Sequence, residues 1–283
     1  MRPFHIYHLF SETFAFYQQQ LISSINEIVQ PDIIYLLSAS VYQRRTESIF
    51  NDTAPAAHHL SDFCLLILIS NKKNRSLPEW EEMIEQHCSK KISVTTIVLE
   101  TETFKEWFTT RHPFAERVVL TAVALFNNGT IDLALNSDAI SETQVKYADE
   151  KYYKNGLSRV EAFLAAAELL KVRKEYNIAL FMLHQAAEQS LRTMLKMGTG
   201  FHSCTHNIDR LLRYTTMVVY QLPDIFPRKT EEDKRLLKLL QNAYIDARYK
   251  EDHAIHIDEL LLLFSKVNEL YNLLKRTACK CIP

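Results

Sequence analysis

Residues 180–194 read LFMLHQAAEQSLRTM and place apolar side chains at helical spacing. The apolar stripe consists of Leu180, Leu183, Ala187, Leu191 and Met194. Intervals of three and four residues are typical of a helix that buries one face. The stripe therefore predicts a helix over residues 175–197, which ends at Gly198-Thr199-Gly200.

The same periodicity continues on both sides of this helix. Apolar stripes predict further helices near residues 143–173, 205–219, 231–249 and 257–276. Five amphipathic helices that are joined by modest loops can bury their apolar faces only against one another. We expect residues 143–283 to form an all-α antiparallel bundle.

The first half of the chain mixes strand and helix signals. Continuous apolar runs predict buried strands at Ile33–Leu37, Phe63–Ile69 and Ile92–Leu99. The intervening pattern predicts helices at Phe10–Ile28 and Pro78–His87, a polar loop over 41–60, a mostly helical segment over 104–126 and a short strand at Thr130–Leu135. Residues 1–142 should form a small α/β domain with a mixed sheet, which gives an α+β two-domain chain.

Composition excludes several classes of protein. The 283 residues include 33 basic and 34 acidic side chains but only 4 glycines, too few for a glycine-rich phosphate loop. The 5 cysteines are scattered, which predicts a reducing compartment, the cytoplasm, and they form no pair of zinc-like motifs. We expect neither a metal site nor a cofactor. No apolar run is long enough to span a membrane.

Charge is divided unevenly between the two halves. The first 150 residues carry 12 basic and 19 acidic side chains, whereas the remainder carries 21 and 15. A basic second half points to a polyanionic partner, although attraction between the halves is an alternative explanation.

Polar residues interrupt the helix at residues 175–197 in a regular way. His184, Glu188 and Arg192 stand four residues apart, so they share one helix face. Such a polar line can border a nucleotide or phosphate pocket, or it can form a hydrogen-bonded network between helices.

An ordered set of residues resembles the HEPN family over roughly residues 145–276. The set comprises His184-Gln185-Ala186-Ala187-Glu188, then Thr205-His206-Asn207-Ile208, then Tyr244-Ile245-Asp246-Ala247-Arg248-Tyr249, and finally His253. The resemblance implies a helical bundle, often a homodimer, that binds nucleotides or cleaves RNA without a metal. RNA or a nucleotide is the expected ligand, DNA is not, and His184, Glu188, Arg192, His206 and Tyr249 are the expected binding residues.

The family's nuclease motif is an arginine followed, after four to six residues, by a histidine. Arg248 and His253 satisfy this spacing. A histidine can transfer the proton of a ribose 2′-OH, and a guanidinium can stabilise charge on phosphate oxygens. Glu251 and Asp252 lie between them and would repel RNA. The sequence leaves two hypotheses open: a metal-independent endoribonuclease, or a non-catalytic nucleotide- or protein-binding module.

The first half resembles a nucleotidyltransferase core that has lost its chemistry. Leu36-Leu37-Ser38-Ala39-Ser40 and Ser61-Asp62-Phe63-Cys64 look like that family's strand, Gly-Ser turn and Asp-x-Asp strand. Ala39 replaces the glycine, and Cys64 replaces the second metal-binding aspartate. Asp62 alone is a poor Mg²⁺ site, so we expect a catalytically inactive scaffold.

Overall fold

A computed structural model describes residues 11–44, 57–70, 74–89, 92–129, 150–249 and 255–281. The chain divides into two compact units, Met1–Glu142 and Thr143–Pro283. The predicted α+β layout is confirmed, since the first unit holds a mixed sheet with helices and the described part of the second holds helices only.

The first unit contains four helices and four strands within its described residues. They are α1 (Ser11–Ile28), β1 (Ile33–Arg44), β2 (Ala57–Ile69), α2 (Leu77–Cys88), β3 (Val94–Glu100), α3 (Thr101–Thr109), α4 (Pro113–Thr121) and β4 (Val123–Asn127). The sheet order is β3-β2-β1-β4. β1 is antiparallel to β2 and β4, and β2 is parallel to β3.

Both faces of this sheet are covered, which explains the continuous apolar runs in its strands. Alternate residues such as Leu36 and Leu65 pack with Ile25 of α1 and Ile84 of α2. On the opposite face, the Tyr35 ring lies 6.2 Å from that of Phe104 in α3. The core of the first unit therefore lies in two layers around β1 and β2.

Two sequence predictions for this unit are wrong. β1 and β2 extend into the segment predicted as a loop, because they pair as far as Arg44 opposite Ala57. The prediction of a mostly helical segment over 104–126 is wrong only at its end: α3 ends at Thr109 and α4 runs from Pro113 to Thr121, but Val123–Asn127 forms β4 on β1. A short apolar run does not distinguish a helix from a strand, and pairing with β1 decides for the strand. The strand predicted at 130–135 lies outside the described residues.

The second unit is built around one central helix. Its helices are α5 (Glu150–Val172), α6 (Tyr176–Thr199), α7 (Ile208–Thr216), the short α8 (Leu222–Ile225), α9 (Glu231–Tyr249) and α10 (Ile257–Cys281). α6 contacts α5, α7, α9 and α10. Leu183, Leu191 and Met194 of the predicted stripe are fully buried in this core.

α5 and α6 run antiparallel at very short range. The turn between them spans only residues 173–175, and Gly156 faces Thr193 so closely that a Cβ atom on the glycine would overlap the threonine hydroxyl. Glycine at this position therefore permits the two backbones to approach. Across the described residues, no helix combines the length and apolarity that crossing a membrane requires.

Candidate functional site

The candidate site is centred on Glu188, a carboxylate in the middle of α6. Glu188 belongs to the buried part of the helix, and only 7% of its side chain is exposed. A buried carboxylate needs partners, since an unpaired charge in a protein interior costs several kcal/mol.

Three nitrogen-bearing side chains supply those partners. The His184 Nε2 lies 3.3 Å from Glu188 Oε2, and the Arg192 Nη1 lies 3.0 Å from Oε1. The His206 Nδ1 lies 3.1 Å from Oε2 and 3.2 Å from Oε1. Each carboxylate oxygen therefore has two nitrogen neighbours, and Glu188 ties the α6–α7 loop to α6.

The protonation of Glu188 follows from these contacts. Burial by itself would raise the pKa of its carboxyl group. The hydrogen bond with His184, the positive charge of Arg192 and the contact with His206 outweigh burial, so the pKa lies below its ordinary value. Glu188 is therefore a carboxylate at neutral pH.

Arg192 makes several hydrogen bonds to groups within the protein. Besides Glu188, its Nη2 donates to the carbonyl oxygens of Thr205, at 2.8 Å, and Cys204, at 3.1 Å. Its Nε is buried and has no hydrogen-bond partner among the described residues. These contacts hold the loop that carries His206 against α6.

His206 presents an ordered ring to the surface. Half of its side chain is exposed. One face of the imidazole stacks on Tyr244 of α9, with ring centroids 4.8 Å apart and planes inclined by 16°. Because Nδ1 faces Glu188, the ring orientation is fixed, and Nε2 is the nitrogen left for an external group.

The same network fixes the position of α9. The buried His184 Nδ1 lies 2.9 Å from the carbonyl oxygen of Leu240, and the His184 ring lies 5.5 Å from that of Tyr244. Gln241 accepts a hydrogen bond from the Ile208 backbone N–H at the start of α7. α6, α7 and α9 therefore meet around Glu188.

The predicted site residues differ in how they are placed. Glu188, Arg192 and His206 are brought together. His184 has no exposed side-chain surface, so it supports Glu188 rather than contacting a ligand. Arg248 and Tyr249 belong to the last turn of α9, but their side chains, and the whole of His253, lie outside the described residues.

Tyr244 is a residue of this site that the sequence does not identify as one, although it belongs to the pattern that resembles the HEPN family. It lies four residues before Arg248, which is the spacing of neighbours on one helix face. That spacing was the available signal. The contact between Tyr244 and His206 cannot be inferred from the sequence, because it forms only when the loop before α7 packs against α9.

The two positions of the first unit that resemble metal ligands do not form a carboxylate pair. Asp62 is exposed, lies at an irregularity of the β1–β2 pairing with a positive φ of 49°, and its Oδ1 accepts a hydrogen bond of 3.0 Å from Ser93. Cys64 is buried at 3% exposure. Within the described parts of both units, no three His, Cys, Asp or Glu side chains form a group that could hold a metal ion.

The helical unit that contains the Glu188 cluster matches a known domain family. Residues 153–277 match the HEPN domain family, so the helical unit contains a HEPN domain. The matched range includes the whole Glu188 cluster and both motif positions, Arg248 and His253. It does not extend into the sheet-containing unit, and no curated protein matches the chain.

Proposed function

We propose that the protein is a metal-independent endoribonuclease that uses Arg248 and His253. The proposal is supported by the stacking of the His206 ring on Tyr244 within a HEPN domain. Tyr244 lies one helical turn before Arg248. The 2′-oxygen attacks phosphorus as its proton leaves, and the 5′-oxygen departs with a proton. His253 transfers one of these protons and solvent water exchanges the other, while Arg248 stabilises the charge on the phosphate oxygens.

The Glu188 cluster acts in this proposal as a positioning device. It fixes Tyr244, and through Tyr244 it fixes the face of α9 on which Arg248 follows four residues later. A guanidinium placed on a rigid helix acts on a phosphate with less reorganisation than one on a free loop.

The test is cleavage of a mixed-sequence RNA in EDTA. The wild type should cut RNA but not DNA, and the products should carry 2′,3′-cyclic phosphate because the attacking oxygen is internal. His253→Ala should lower the rate roughly 10²–10⁴-fold, and Arg248→Ala roughly 10²–10³-fold.

His256→Ala is the matched control for this experiment. His256 is an exposed histidine near the start of α10 that pairs with Asp258 at 3.2 Å. Its removal should leave cleavage unchanged. Absence of cleavage by the folded wild type would reject the nuclease proposal.

The second candidate is a non-catalytic nucleotide-binding module. The half-exposed His206 ring, held by Tyr244 and Glu188, favours it, although the Arg192 guanidinium already serves Glu188 and two carbonyl oxygens. A nucleobase could still stack on the exposed face of His206. Binding of AMP and ATP by isothermal titration, with no RNA cleavage, would support this candidate.

For the sheet-containing unit we propose a nucleotidyltransferase-like scaffold that lacks transfer activity. The buried Cys64 and the engaged Asp62 support this proposal, since Mg²⁺ is held by carboxylate oxygens. We expect no transfer of labelled AMP from ATP and Mg²⁺ to the protein itself or to RNA. Transfer that Asp62→Ala abolishes would contradict the proposal.

We also propose a homodimer formed through the helical unit. The end of α5 meets the start of α10, where Lys171 lies 4.7 Å from the Phe264 ring. Exposed apolar side chains lie on these segments and at the start of α6, namely Leu169, Val172, Ile178, Leu261 and Leu262. Light scattering of the full chain should give twice the monomer mass, and the pair Leu169→Glu and Leu262→Glu should give the monomer mass.

A further inference from the structure

The face shared by α5, the second half of α6 and the α6–α7 loop has an unusual charge pattern. No Asp or Glu occurs between Glu150 and Glu161, nor between Glu188 and Asp209. The same two segments carry the cations Lys151, Arg159, Arg192 and Lys196, and also Lys154, which pairs with Glu150 at 2.7 Å. The second segment also carries the histidine His202.

The close approach of α5 and α6 brings these positive groups to one surface. Gly156 faces Thr193, and one turn away the Lys196 Nζ lies 4.1 Å from the centre of the Tyr152 ring. Arg159 follows Gly156 by three residues and is exposed. Arg159 and Lys196 therefore stand on either side of the point where the helices meet.

Two neighbouring titratable groups, His202 and Tyr152, are affected by these charges. Burial lowers the pKa of His202, and the positive charges of Lys196 and Arg192 lower it further. Burial raises the pKa of Tyr152, and Arg192 and Arg159 act in the opposite direction. Like charges that share a surface repel one another, and a bound polyanion relieves that repulsion.

We propose that Arg159 and Lys196, with the neutral imidazole of His202 beside them as a hydrogen-bonding group, form a basic track that binds the phosphate backbone of single-stranded RNA and leads it to His206. The proposal rests on the proposed function, because it names the substrate of that same HEPN domain. His202 and His206 lie on the same α6–α7 loop, which Arg192 holds through the carbonyl oxygens of Cys204 and Thr205. The exposed face of His206 can stack on one unpaired base. A duplex keeps its bases stacked inside and cannot use this ring.

The experiment measures fluorescence anisotropy of a labelled 12-nucleotide 2′-O-methyl RNA with the full chain. This probe lacks the attacking hydroxyl, so binding is measured whether or not the protein is a nuclease. Lys196→Gln should weaken binding roughly fivefold at 0.1 M salt and reduce the slope of log affinity against log salt by about 0.7. Arg159→Glu combined with Lys196→Glu should weaken it at least about 25-fold.

Lys275→Gln is the matched control. Lys275 also lies over a tyrosine ring, 4.3 Å from the centre of Tyr271, but that tyrosine donates a hydrogen bond to Glu161. Its loss should leave the affinity for the probe unchanged. An equal loss in this control would overturn the track, as would a wild type that fails to bind the probe at low salt.

Three further outcomes separate this inference from the nuclease proposal. Binding through the track without cleavage of ordinary RNA supports the track and rejects the nuclease. Cleavage that the Arg159 and Lys196 variants leave intact supports the nuclease and overturns the track. Equal affinity for duplex RNA, or equal competition by polyglutamate, overturns the assignment to single-stranded RNA.

Discussion

Each unit of the chain buries a carboxylate that several hydrogen bonds hold, but the donors are of different kinds. Asp32, just before β1, accepts from Ser70 and Thr101 at 2.5 Å each and from Asn128 at 3.0 Å. Glu188 is surrounded instead by two histidines and an arginine, and one of these, His206, is half exposed.

The difference separates a structural carboxylate from one that serves a site. The donors of Asp32 are neutral and join the ends of β2 and β4 and the start of α3 to β1, so this group holds strand ends together. The donors of Glu188 can carry charge, and His206 reaches the surface. A buried carboxylate that orients an exposed imidazole is an arrangement that proteins use in ligand binding and proton transfer.

The largest expected effect comes from removing Glu188. Glu188→Ala leaves Arg192 and His184 without their buried partner, which should lower the free energy of unfolding by about 3–5 kcal/mol. Both tryptophans, Trp80 and Trp107, lie in the first unit, so the urea transition of the helical unit is best followed by far-UV circular dichroism. Tryptophan fluorescence should keep its wild-type midpoint.

Glu168→Ala is the control for this measurement. Glu168 pairs with Lys171 on the surface of α5, and surface pairs contribute little. A Glu188→Ala variant as stable as Glu168→Ala would show that the cluster is not a structural requirement of the helical unit.

Asp32→Asn should have the next largest effect, and it should appear in the other unit. The amide keeps the shape of the side chain but turns one acceptor into a donor against hydroxyl groups, which should cost about 1–3 kcal/mol. The change should move the tryptophan fluorescence transition. Asp62→Asn, at an exposed aspartate of β2, should move it much less, and equal shifts would contradict the structural role of Asp32.

The sequence predicts the helical unit better than it predicts the sheet-containing unit. The helical unit was largely predictable, because its stripes recur along continuous helices and its histidine, glutamate and arginine lie four residues apart. β4 was missed because its pairing with β1 joins residues about 90 apart in sequence. Asp32 carried no signal, since Ser70, Thr101 and Asn128 meet it only after the sheet has formed.

The pH dependence of stability should sharpen the comparison further. Burial would raise the pKa of Asp32, but its hydrogen bonds from Ser70, Thr101 and Asn128 lower it below the ordinary value. The partners of Glu188 lower the pKa of that carboxyl group in the same way. The unfolded chain then binds protons first as pH falls. Both contributions to stability are complete above about pH 5 and are lost as pH falls through the folded-state pKa values.

Each variant should flatten this acid dependence in its own unit only. Glu188→Gln should reduce the slope of the dichroism-monitored stability between about pH 5 and 3, and Asp32→Asn the slope of the fluorescence-monitored stability. Urea titrations at several pH values test this directly. A slope that is unchanged in both variants would mean that other carboxylates dominate the acid response.

The smallest effect on stability should come from His206, and it should coincide with a large effect on binding. His206→Phe keeps an aromatic ring on Tyr244 and loses the contact with Glu188, which remains bound to His184 and Arg192. Because His206 is half exposed, the stability loss should stay below about 1 kcal/mol.

Binding of the 2′-O-methyl RNA to His206→Phe should persist if stacking is what His206 contributes, whereas His206→Ala should weaken it by about 1–3 kcal/mol. Thr101→Val removes one donor from Asp32 at a comparable cost of about 1 kcal/mol and should leave RNA binding unchanged. If His206→Phe binds RNA as poorly as His206→Ala, the polar Nε2 and not the ring face makes the contact, and the comparison then rests on a hydrogen bond to the ligand.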